Sequence, residues 1–533
     1  ITLVNECKID TIPGKYLVLN ASTDYAVIPP LNVSTNTMTI SCWVKPNGIQ
    51  VSNAGIVFSG SGGACGLNLK SNNQLGYHWQ DASGSYGWNG GPILPSDVWS
   101  HVALVISPSS ATIYLNGVAY TRTAPHAVVD FNTDFRLGRD RTNSSRNFIG
   151  QIEEVAIYNK SMSINEIREL RHLNRPEGNS LMSYYQFNES AGLVLDKIGA
   201  KHATLIGGAA RADSSVPVGK GVSTRLTVNS SGLKDFGNAG VKMYFPSNNT
   251  YPNGEVVVTK INQLPDVYPV GSFQADSYWV INNYGSNATF IIPDSIKFYD
   301  SGNISGGCQP QNYLLHRRLE NGEGSTWSNA IDQAEYFNPY PPNNYLTFSS
   351  GNNVNSFGQF FVRIEGRPSG QSVEVCNGID DDCDGLIDES YSLVVSNSAN
   401  EGDNSLRAIM NCAQNGDVIT FAANIDTITL LSPLILNKNL TFLDNTGSKI
   451  VLKANLSSSG FNGVEAAIKI QNSSEIFCSN IHFHQLNNSQ SKPLILNNGT
   501  LTMTDCKLSG NPDSVIKHAE GAIFHVNGLV EMD

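Results

Sequence analysis

Seven acidic residues lie within sixteen positions, from Glu374 to Glu389, without a single Lys or Arg among them. Carboxylates stand at alternate positions of this segment, a glycine follows at the sixth position, and another carboxylate stands at the ninth. This order matches most of a calcium-binding loop, in which a backbone carbonyl serves at position seven. At position twelve Tyr391 replaces the usual glutamate, so Glu389 is the expected substitute. The predicted Ca²⁺ ligands are Asp380, Asp382, Asp384, Leu386 through its carbonyl, Asp388 and Glu389.

The same segment, residues 374–390, closely resembles the metal-binding motif of MopE-type extracellular bacterial proteins. The resemblance implies a structural Ca²⁺ that rigidifies a joint between two domains. It also implies a disulfide between Cys376 and Cys383, which an oxidising compartment would allow to persist. Two alternatives stay open: an acidic linker without metal, and a thiolate site for copper or zinc, which the excess of oxygen ligands disfavours.

A carboxylate pair elsewhere in the chain raises the question of hydrolysis. Glu153 and Glu154 lie where glucanases of the jelly-roll superfamily carry their catalytic carboxylates. Retaining hydrolysis needs two carboxylates about 5–5.5 Å apart in one cleft, whereas adjacent strand residues point to opposite faces. We therefore expect surface glutamates and no enzyme activity. Loop residues Asp81, Asp140 and Asn143 are weaker candidates for a lectin-like or Ca²⁺ site.

Histidines and cysteines near the C-terminus suggest two further sites. A zinc set is conceivable from His482, His484, His518 and His525, but without a clear third ligand a histidine ladder is the preferred interpretation. Cys478 and Cys506 are candidates for a disulfide between neighbouring rungs. Trp88 is a candidate for sugar stacking, although an anchor for its loop is the stronger interpretation.

Four Asp-Ser/Thr-aliphatic triplets resemble the O-glycosylation sequence of Bacteroidota. The hydroxyl residues that would carry the sugar are Thr11, Ser295, Thr427 and Ser514. Short triplets also occur by chance.

Composition excludes several classes of function. The 533 residues carry a net charge of −12, and only 15% of them are charged, against about 25% in typical soluble domains. No basic cluster exists that could neutralise nucleic-acid phosphates. No apolar run is long enough to span a membrane. No signal peptide opens the sequence, so we expect that it was removed or that the chain begins inside a longer precursor.

The pattern of the chain is all-β, with short β-branched and aromatic runs between Asn, Gly, Pro and Ser clusters. Residues 15–212 resemble the laminin-G-like (concanavalin-A-like) jelly-roll family. The blocks that carry this resemblance are Met38–Pro46, Trp99–Val105, Ile113–Val118, Phe135–Gly138 and Phe148–Tyr158. Asn116-Gly117 predicts a type I′ hairpin turn. Helices are predicted over Ser163–His172, with a capping box, and over Ser405–Gln414.

The rest of the chain divides into three further segments. Residues 213–370 predict a second β-sandwich, which loosely resembles a module of large secreted Bacteroidota proteins. Residues 391–533 predict a right-handed parallel β-helix, because short apolar strands recur; Gly499 and Gly528 are 29 apart, as are Met503 and Met532. We expect this β-helix to continue beyond Asp533. Residues 1–14 are a linker or the end of a preceding domain.

These features predict a non-enzymatic, secreted cell-surface protein of adhesin type from a Bacteroidota-like bacterium. The jelly roll would bind a glycan or surface polymer, and family resemblance implies export across the outer membrane by type IX secretion machinery. Two alternatives stay open. One is an accessory part of a polysaccharide-degrading enzyme, which would need Asp, Lys or Arg on successive rungs of one β-helix face. The other is a surface-layer or filament subunit.

Overall fold

A computed structural model describes residues 14–140, 143–174, 178–269, 277–290, 295–299, 309–338, 344–349, 356–364, 392–447, 449–486, 492–510 and 515–532. These residues form two compact units, which we call unit 1 (described residues up to 364) and unit 2 (described residues from 392). Both are built almost entirely from β-strands, as the sequence predicts. None of the helices within the described ranges has the length and apolar character needed to cross a bilayer.

The first part of unit 1 is a sandwich of two antiparallel sheets. Its strands are β1 Lys15–Leu19, β2 Tyr25–Ile28, β3 Ser34–Thr35, β4 Met38–Pro46, β5 Ala54–Ser59, β6 Cys65–Leu69, β7 Leu75–Trp79, β8 Ser100–Ile106, β9 Ser110–Leu115, β10 Val118–Thr123, β11 Val129–Asp130, β12 Phe135–Leu137, β13 Gly150–Tyr158, β14 Leu181–Tyr185, β15 Thr204–Ile206 and β16 Ala210–Asp213. Its helices are α1 Ser83–Tyr86 and α2 Ile164–Leu170.

The larger sheet has the order β10-β9-β8-β4-β13-β1-β16, with β14 also paired to β13. The smaller sheet has the order β15-β2-β12-β5-β6-β7. Apolar side chains from alternate positions of both sheets meet in one buried core, where they lose their contact with water. Two local predictions are confirmed. Asn116 and Gly117 both have positive φ between β9 and β10, and Ser163 caps α2 in a capping box with Glu166.

The second part of unit 1 is another antiparallel sandwich. Its strands are β17 Gly221–Val228, β18 Gly232–Asp235, β19 Val241–Phe245, β20 Gly254–Ile261, β21 Tyr278–Asn283, β22 Ser295–Tyr299, β23 Tyr313–Arg318, β24 Asp332–Gln333, β25 Tyr336–Asn338, β26 Tyr345–Phe348 and β27 Gly358–Ile364. One sheet has the order β17-β20-β21-β27-β23-β24 and the other β18-β19-β22-β26-β25. Residues 288 and 289, which follow β21, form a bend.

Unit 1 holds its two sandwiches together through buried polar contacts. Arg171, which follows α2 and is fully buried, donates to Glu320 at 2.8 Å and to the Tyr284 hydroxyl at 3.1 Å. Arg168 stacks over the Tyr284 ring at 3.8 Å and pairs with Glu255 at 2.7 Å. These contacts make the second sandwich a packed partner of the first.

Unit 2 is a solenoid of stacked parallel strands. They are β28 Val394–Val395, β29 Val418–Phe421, β30 Thr427–Leu430, β31 Leu434–Leu436, β32 Leu440–Leu443, β33 Ile450–Asn455, β34 Ile468–Ile470, β35 Glu475–Ser479, β36 Ile481–Leu486, β37 Ile495–Asn497, β38 Thr500–Thr504, β39 Lys507–Ser509, β40 Ile516–His518, β41 Ile523–Asn527 and β42 Glu531–Met532. Helix α3, Leu406–Cys412, precedes β29 and is capped by Ser405, as predicted.

The strands of unit 2 form three parallel sheets, and successive strands visit each sheet in turn. Such stacked rungs are the arrangement that a parallel β-helix requires. Alternate apolar side chains of these strands fill one continuous core inside the solenoid. The 29-residue spacing is not the repeat: Met503 lies in register with Val526 on the next rung, because loops of different length separate the strands.

Candidate functional site

The smaller sheet of the first sandwich has an outer face that is unusually polar for a buried surface. Phe58, Asn68 and His78 lie on this face, on β5, β6 and β7. Asn68 is fully buried and His78 is 6% exposed. Glycines occupy the positions paired with them: Gly66 lies between Phe58 and His78, and Gly76 lies opposite Asn68. Neighbouring atoms already fill the space that a side chain would need at these glycines: a Cβ atom on Gly76 would lie 3.0 Å from the Lys70 side chain.

Two loops approach this outer face. A loop carrying Asp140 crosses β5 so closely that a Cβ atom on Gly55 would lie 2.5 Å from the Asp140 amide nitrogen. Asp140 is fully buried and is paired with Arg146 at 3.1 Å. On the other side, Tyr86 of α1 places its ring 5.7 Å from that of His78 and stays 44% exposed. We call Asn68, His78, Asn147, Asp140 and Arg146 the polar cluster.

Several atoms of the polar cluster lack hydrogen-bond partners among the described residues. They include both polar side-chain atoms of Asn68, the Nε2 atom of His78 and the Oδ1 atom of Asn147. Leaving one buried polar group unpaired costs about 1–3 kcal/mol. Native proteins rarely leave several together, and such groups normally contact a water, an ion or a ligand. The polar cluster is therefore the strongest binding-site candidate in unit 1.

The protonation state of His78 defines what this cluster can recognise. Burial lowers the pKa of His78, and the nearby carboxylates of Asp81 and Asp140 oppose that shift only in part. The ring is therefore neutral at pH 7. Its Nδ1 atom lies 3.4 Å from Asp81 Oδ1, so a proton on Nδ1 leaves Nε2 as an acceptor. Together with the Asn68 amide, the cluster offers both donors and acceptors, which suits hydroxyl groups.

The structure places the predicted loop candidates in different surroundings. Asp81 and Asp140 both lie beside His78, as a shared loop site would require. Asn143, in contrast, accepts from Ser145 within its own loop, at 3.0 Å from the Ser145 amide. Trp88 is 9% exposed and packs edge-to-face on Tyr77 within the core, so it anchors its loop.

The prediction that Glu153 and Glu154 are surface residues on opposite faces is wrong. A β-bulge shifts the register of β13 here, and Glu154 has φ of 51°. Ile152 and Val155 keep the core side, so both carboxyls lie away from that core and are buried. Ser214 donates to Glu153 at 2.5 Å, while Tyr184 donates to Glu154.

Burial raises the pKa of Glu153 well above its usual range, and the charge of Glu154 adds to this shift. Because this pKa differs between the folded and unfolded states, the carboxyl makes the free energy of unfolding depend on pH. It cannot reach a polysaccharide in solvent, so this pair provides no hydrolytic site.

The four histidines of unit 2 do not form a metal set. They lie on three different sheets, because His482 and His484 belong to β36, His518 to β40 and His525 to β41. His482 and His484 share a face and both contact the Ser509 hydroxyl, at 2.6 and 2.7 Å. Among the described residues no group of three or more His, Cys, Asp or Glu could hold a metal ion.

The predicted disulfide between Cys478 and Cys506 is absent, since both are free thiols. The parallel register sets Cys478 beside Met503, and Cys506 lies beyond the end of that strand. The Cys506 thiol instead donates to the Cys478 carbonyl at 3.4 Å. Cys412, at the end of α3, is disulfide-bonded.

Several predicted sites lie outside the described residues. They are the Ca²⁺ ligands Asp380, Asp382, Asp384, Leu386, Asp388 and Glu389, the pair Cys376 and Cys383, and the glycosylation candidates Thr11 and Ser514. All of these stay predictions. The other two glycosylation candidates, Ser295 and Thr427, are the first residues of β22 and β30 and are half-buried.

Sequence reasoning missed the central members of the polar cluster. Nothing local marks Asn68, His78 or Asn147, because strand pairing and a distant loop bring them together. One signal was present: glycines recur in β5, β6 and β7 at Gly55, Gly66 and Gly76, where a strand would normally carry side chains.

One protein-family model matches most of the first sandwich. Residues 20–168 match the family model of the concanavalin A-like lectin/glucanases superfamily. A proposed carbohydrate-binding protein from Bacteroides ovatus is 19% identical over 39% of this chain, with a TM-score of 0.33. That match spans 62% of the Bacteroides ovatus chain. No curated protein matches the chain significantly.

Two further solved structures are similar to part of this chain. The pentraxin of Limulus polyphemus is 12% identical, with a TM-score of 0.28, and the match covers 37% of this chain and 97% of the pentraxin. Domain 4 of the arabinanase AbnA from Geobacillus stearothermophilus, solved with arabinotriose, is 21% identical, with a TM-score of 0.23. That match covers 29% of this chain and 87% of domain 4. The family model for concanavalin A-like lectins and glucanases thus matches residues 20–168, which form most of the antiparallel jelly-roll sandwich described above.

Proposed function

We propose that this protein is a non-enzymatic glycan-binding protein and that the polar cluster of the jelly roll is its binding site. The observation that carries the proposal is the group of unpaired buried polar atoms on Asn68, His78 and Asn147. Sugar hydroxyls both donate and accept hydrogen bonds, as these atoms do, and the exposed ring of Tyr86 beside His78 marks the side from which a glycan would approach. The match of residues 20–168 to a superfamily that is named for lectins and glucanases supports this assignment.

Two features favour a sugar over a simple anion or cation at this site. The charges of Asp140 and Arg146 are already paired with each other, so the open groups are the neutral amides and the neutral imidazole. The half-exposed ring of Tyr86 beside His78 offers an apolar surface, as the apolar face of a pyranose needs. Orientation by a few polar groups beside an aromatic ring is typical of small-molecule sites.

The experiment is a glycan array with the complete 533-residue chain, followed by titration of the best ligand. We expect Asn68→Ala to weaken binding at least tenfold. The same change should not lower the free energy of unfolding, because the amide it removes has no partner among the described residues. The matched control is Asn527→Ala, an exposed asparagine of unit 2, which should bind like the parent.

Two results would contradict the glycan proposal. One is an array without any ligand. The other is a ligand whose affinity is unchanged by Asn68→Ala, which would place the site elsewhere.

We further propose that the protein is secreted and acts at the cell surface as an adhesin, exported across the outer membrane by a type IX route. The disulfide at Cys412 supports an oxidising compartment. The low proportion of charged residues, 15%, suits an extracellular β scaffold.

The Ca²⁺ joint at residues 374–390 is the last part of the proposal. Calcium should raise the melting temperature of the chain, and Asp382→Ala should abolish that rise, because binding to the folded state alone stabilises it. The control is Asp403→Ala, an exposed aspartate outside the motif, which should keep the rise. A melting temperature that is the same with calcium and with chelator would exclude the site.

A further inference from the structure

The second sandwich carries an exposed face that its own fold does not explain. The sheet β18-β19-β22-β26-β25 packs one face against the other sheet through apolar residues such as Phe298, which contacts Trp279 at 4.7 Å. The opposite face carries Tyr244 and, connected to one another, three further tyrosines and two lysines, all at least partly exposed. We call Lys242, Lys297, Tyr299, Tyr336 and Tyr345 the tyrosine–lysine face.

The side chains of this face form a connected row across four strands. Lys242 on β19 lies over the Tyr299 ring at 4.9 Å. Tyr299 on β22 contacts Tyr345 on β26 at 5.1 Å, and Tyr345 contacts Tyr336 on β25 at 5.9 Å. Neighbouring strands lie about 4.8 Å apart, so the row repeats at about the length of one sugar residue. It is long enough for several residues of an extended chain.

One of the two cations of the row, Lys297, is available for a ligand. Lys297 lies over the Tyr345 ring at 4.5 Å, and within the described part of the chain it makes no ion pair. Lys242 shares its charge between Tyr299 and Asp235, whose carboxylate is 3.1 Å away. Positive charge held over exposed aromatic rings, in a chain of net charge −12, attracts an anion that also has an apolar face.

A third observation points to a ligand at the centre of the row. Thr347 pairs with Lys297 on one side and with Tyr336 on the other. Its hydroxyl is shielded from solvent and has no hydrogen-bond partner among the described residues. A cross-strand aromatic ladder that served only to stabilise the sheet would give no reason for an unpaired hydroxyl there.

We propose that the tyrosine–lysine face binds an extended acidic polysaccharide, with sugar rings stacked on Tyr299, Tyr336 and Tyr345 and carboxylate or sulfate groups at Lys297. A protein partner fits less well, because an interface core is typically closed and apolar, whereas this row is interspersed with Ser, Thr, Asn and Lys. This second site is independent of the polar cluster, from which it differs in sandwich, residues and ligand charge.

The test is affinity electrophoresis of the complete chain in gels that contain polygalacturonate, dextran sulfate or neutral dextran. We expect retardation by at least one acidic polymer and none by neutral dextran, with weaker retardation at higher salt. Tyr336→Ala and Tyr345→Ala should each raise the dissociation constant about tenfold, and Lys297→Gln by threefold or more. The matched control is Tyr120→Ala, another partly exposed strand tyrosine, in β10 of the jelly roll, which should bind normally.

The outcomes separate this site from the glycan site of the jelly roll. Asn68→Ala should leave retardation by acidic polymers unchanged. Absence of retardation by both acidic polymers would overturn the proposal. Equal retardation of Tyr336→Ala, Tyr345→Ala, Lys297→Gln and the parent would also overturn it, since the polymer would then bind elsewhere. Loss of retardation together with loss of folded signal in Tyr345→Ala leaves Lys297→Gln, on the surface, as the deciding variant.

Discussion

Unit 1 and unit 2 solve the problem of burying β-strands in different ways. In unit 2 one continuous core of apolar side chains runs through stacked rungs. In unit 1 the cores are flanked by buried charged and ionisable groups, among them His101, Glu153, Arg171 and His172. A buried charge is expensive unless it is paired, so unit 1 depends on specific partners, whereas unit 2 depends on repetition.

This difference is the reason that we propose both binding sites in unit 1. The polar cluster and the tyrosine–lysine face both belong to unit 1, and both contain polar atoms without partners among the described residues. In unit 2 the histidine pair of β36 already contacts Ser509. Groups that are costly to the fold persist where a ligand or an interface compensates for them.

Among the variants that test this difference between the units, Arg171→Ala should have the largest effect on stability. Arg171→Ala should lower the free energy of unfolding of unit 1 by about 3 kcal/mol, because it leaves Glu320 and the Tyr284 hydroxyl without their shared donor. All six tryptophans lie in unit 1, so tryptophan fluorescence during denaturation reports on this unit alone. The double variant R171M/E320Q should recover part of the loss, since it removes both charges together.

The control for Arg171 is an exposed ion pair of unit 2. Lys469 pairs with Glu465 at 2.6 Å, and both side chains are largely solvated. Lys469→Ala should cost at most a few tenths of a kcal/mol. If Arg171→Ala were equally mild, the contact between the two sandwiches would be a loose one and the contrast between the units would fail.

Much of the fold was predictable because its signals are local. Alternating apolar residues, the Asn116-Gly117 turn and the Ser163–Glu166 capping box each act over a few positions. The repeat of the β-helix was harder, since loops of unequal length hide the register that joins Met503 to Val526. The site was hardest, because Asn68 and Asn147 are brought together by pairing with Gly55 from two directions.

A single backbone irregularity explains why the prediction for Glu153 from strand alternation is wrong. Alternation along a strand predicts opposite faces for Glu153 and Glu154, but the bulge places both away from the core. No feature of the two residues themselves announces the bulge. Its consequence is a buried carboxyl whose pKa is raised well above the value it would have in an unfolded chain.

That shift predicts a pH dependence confined to unit 1. The unfolded chain releases the proton of Glu153 near pH 4.5, whereas the folded state, in which the pKa of this carboxyl is raised well above 4.5, retains it to higher pH. The folded state therefore binds more protons, and the contribution of Glu153 to stability falls as pH rises. Glu153→Gln mimics the protonated carboxyl, so the variant lacks the pH-dependent contribution of Glu153 to stability. The free energy of unfolding of the variant should rise relative to the parent by up to about 1.4 kcal/mol per pH unit.

Comparing variant with parent at each pH isolates Glu153 from the other buried groups. Burial lowers the pKa of His172 to about 3 and also lowers that of His101, so both histidines act in the opposite direction, but they do so equally in both proteins. Tryptophan fluorescence measured during urea denaturation at pH 5, 6 and 7 provides the test. The control is Glu335→Gln, at an exposed glutamate of the same unit. Its free energy of unfolding should change with pH as it does in the parent. If the free energy of unfolding of Glu153→Gln also changes with pH as it does in the parent, this carboxyl is ionised in the folded state. The expected pH dependence of unit 1 would then be wrong.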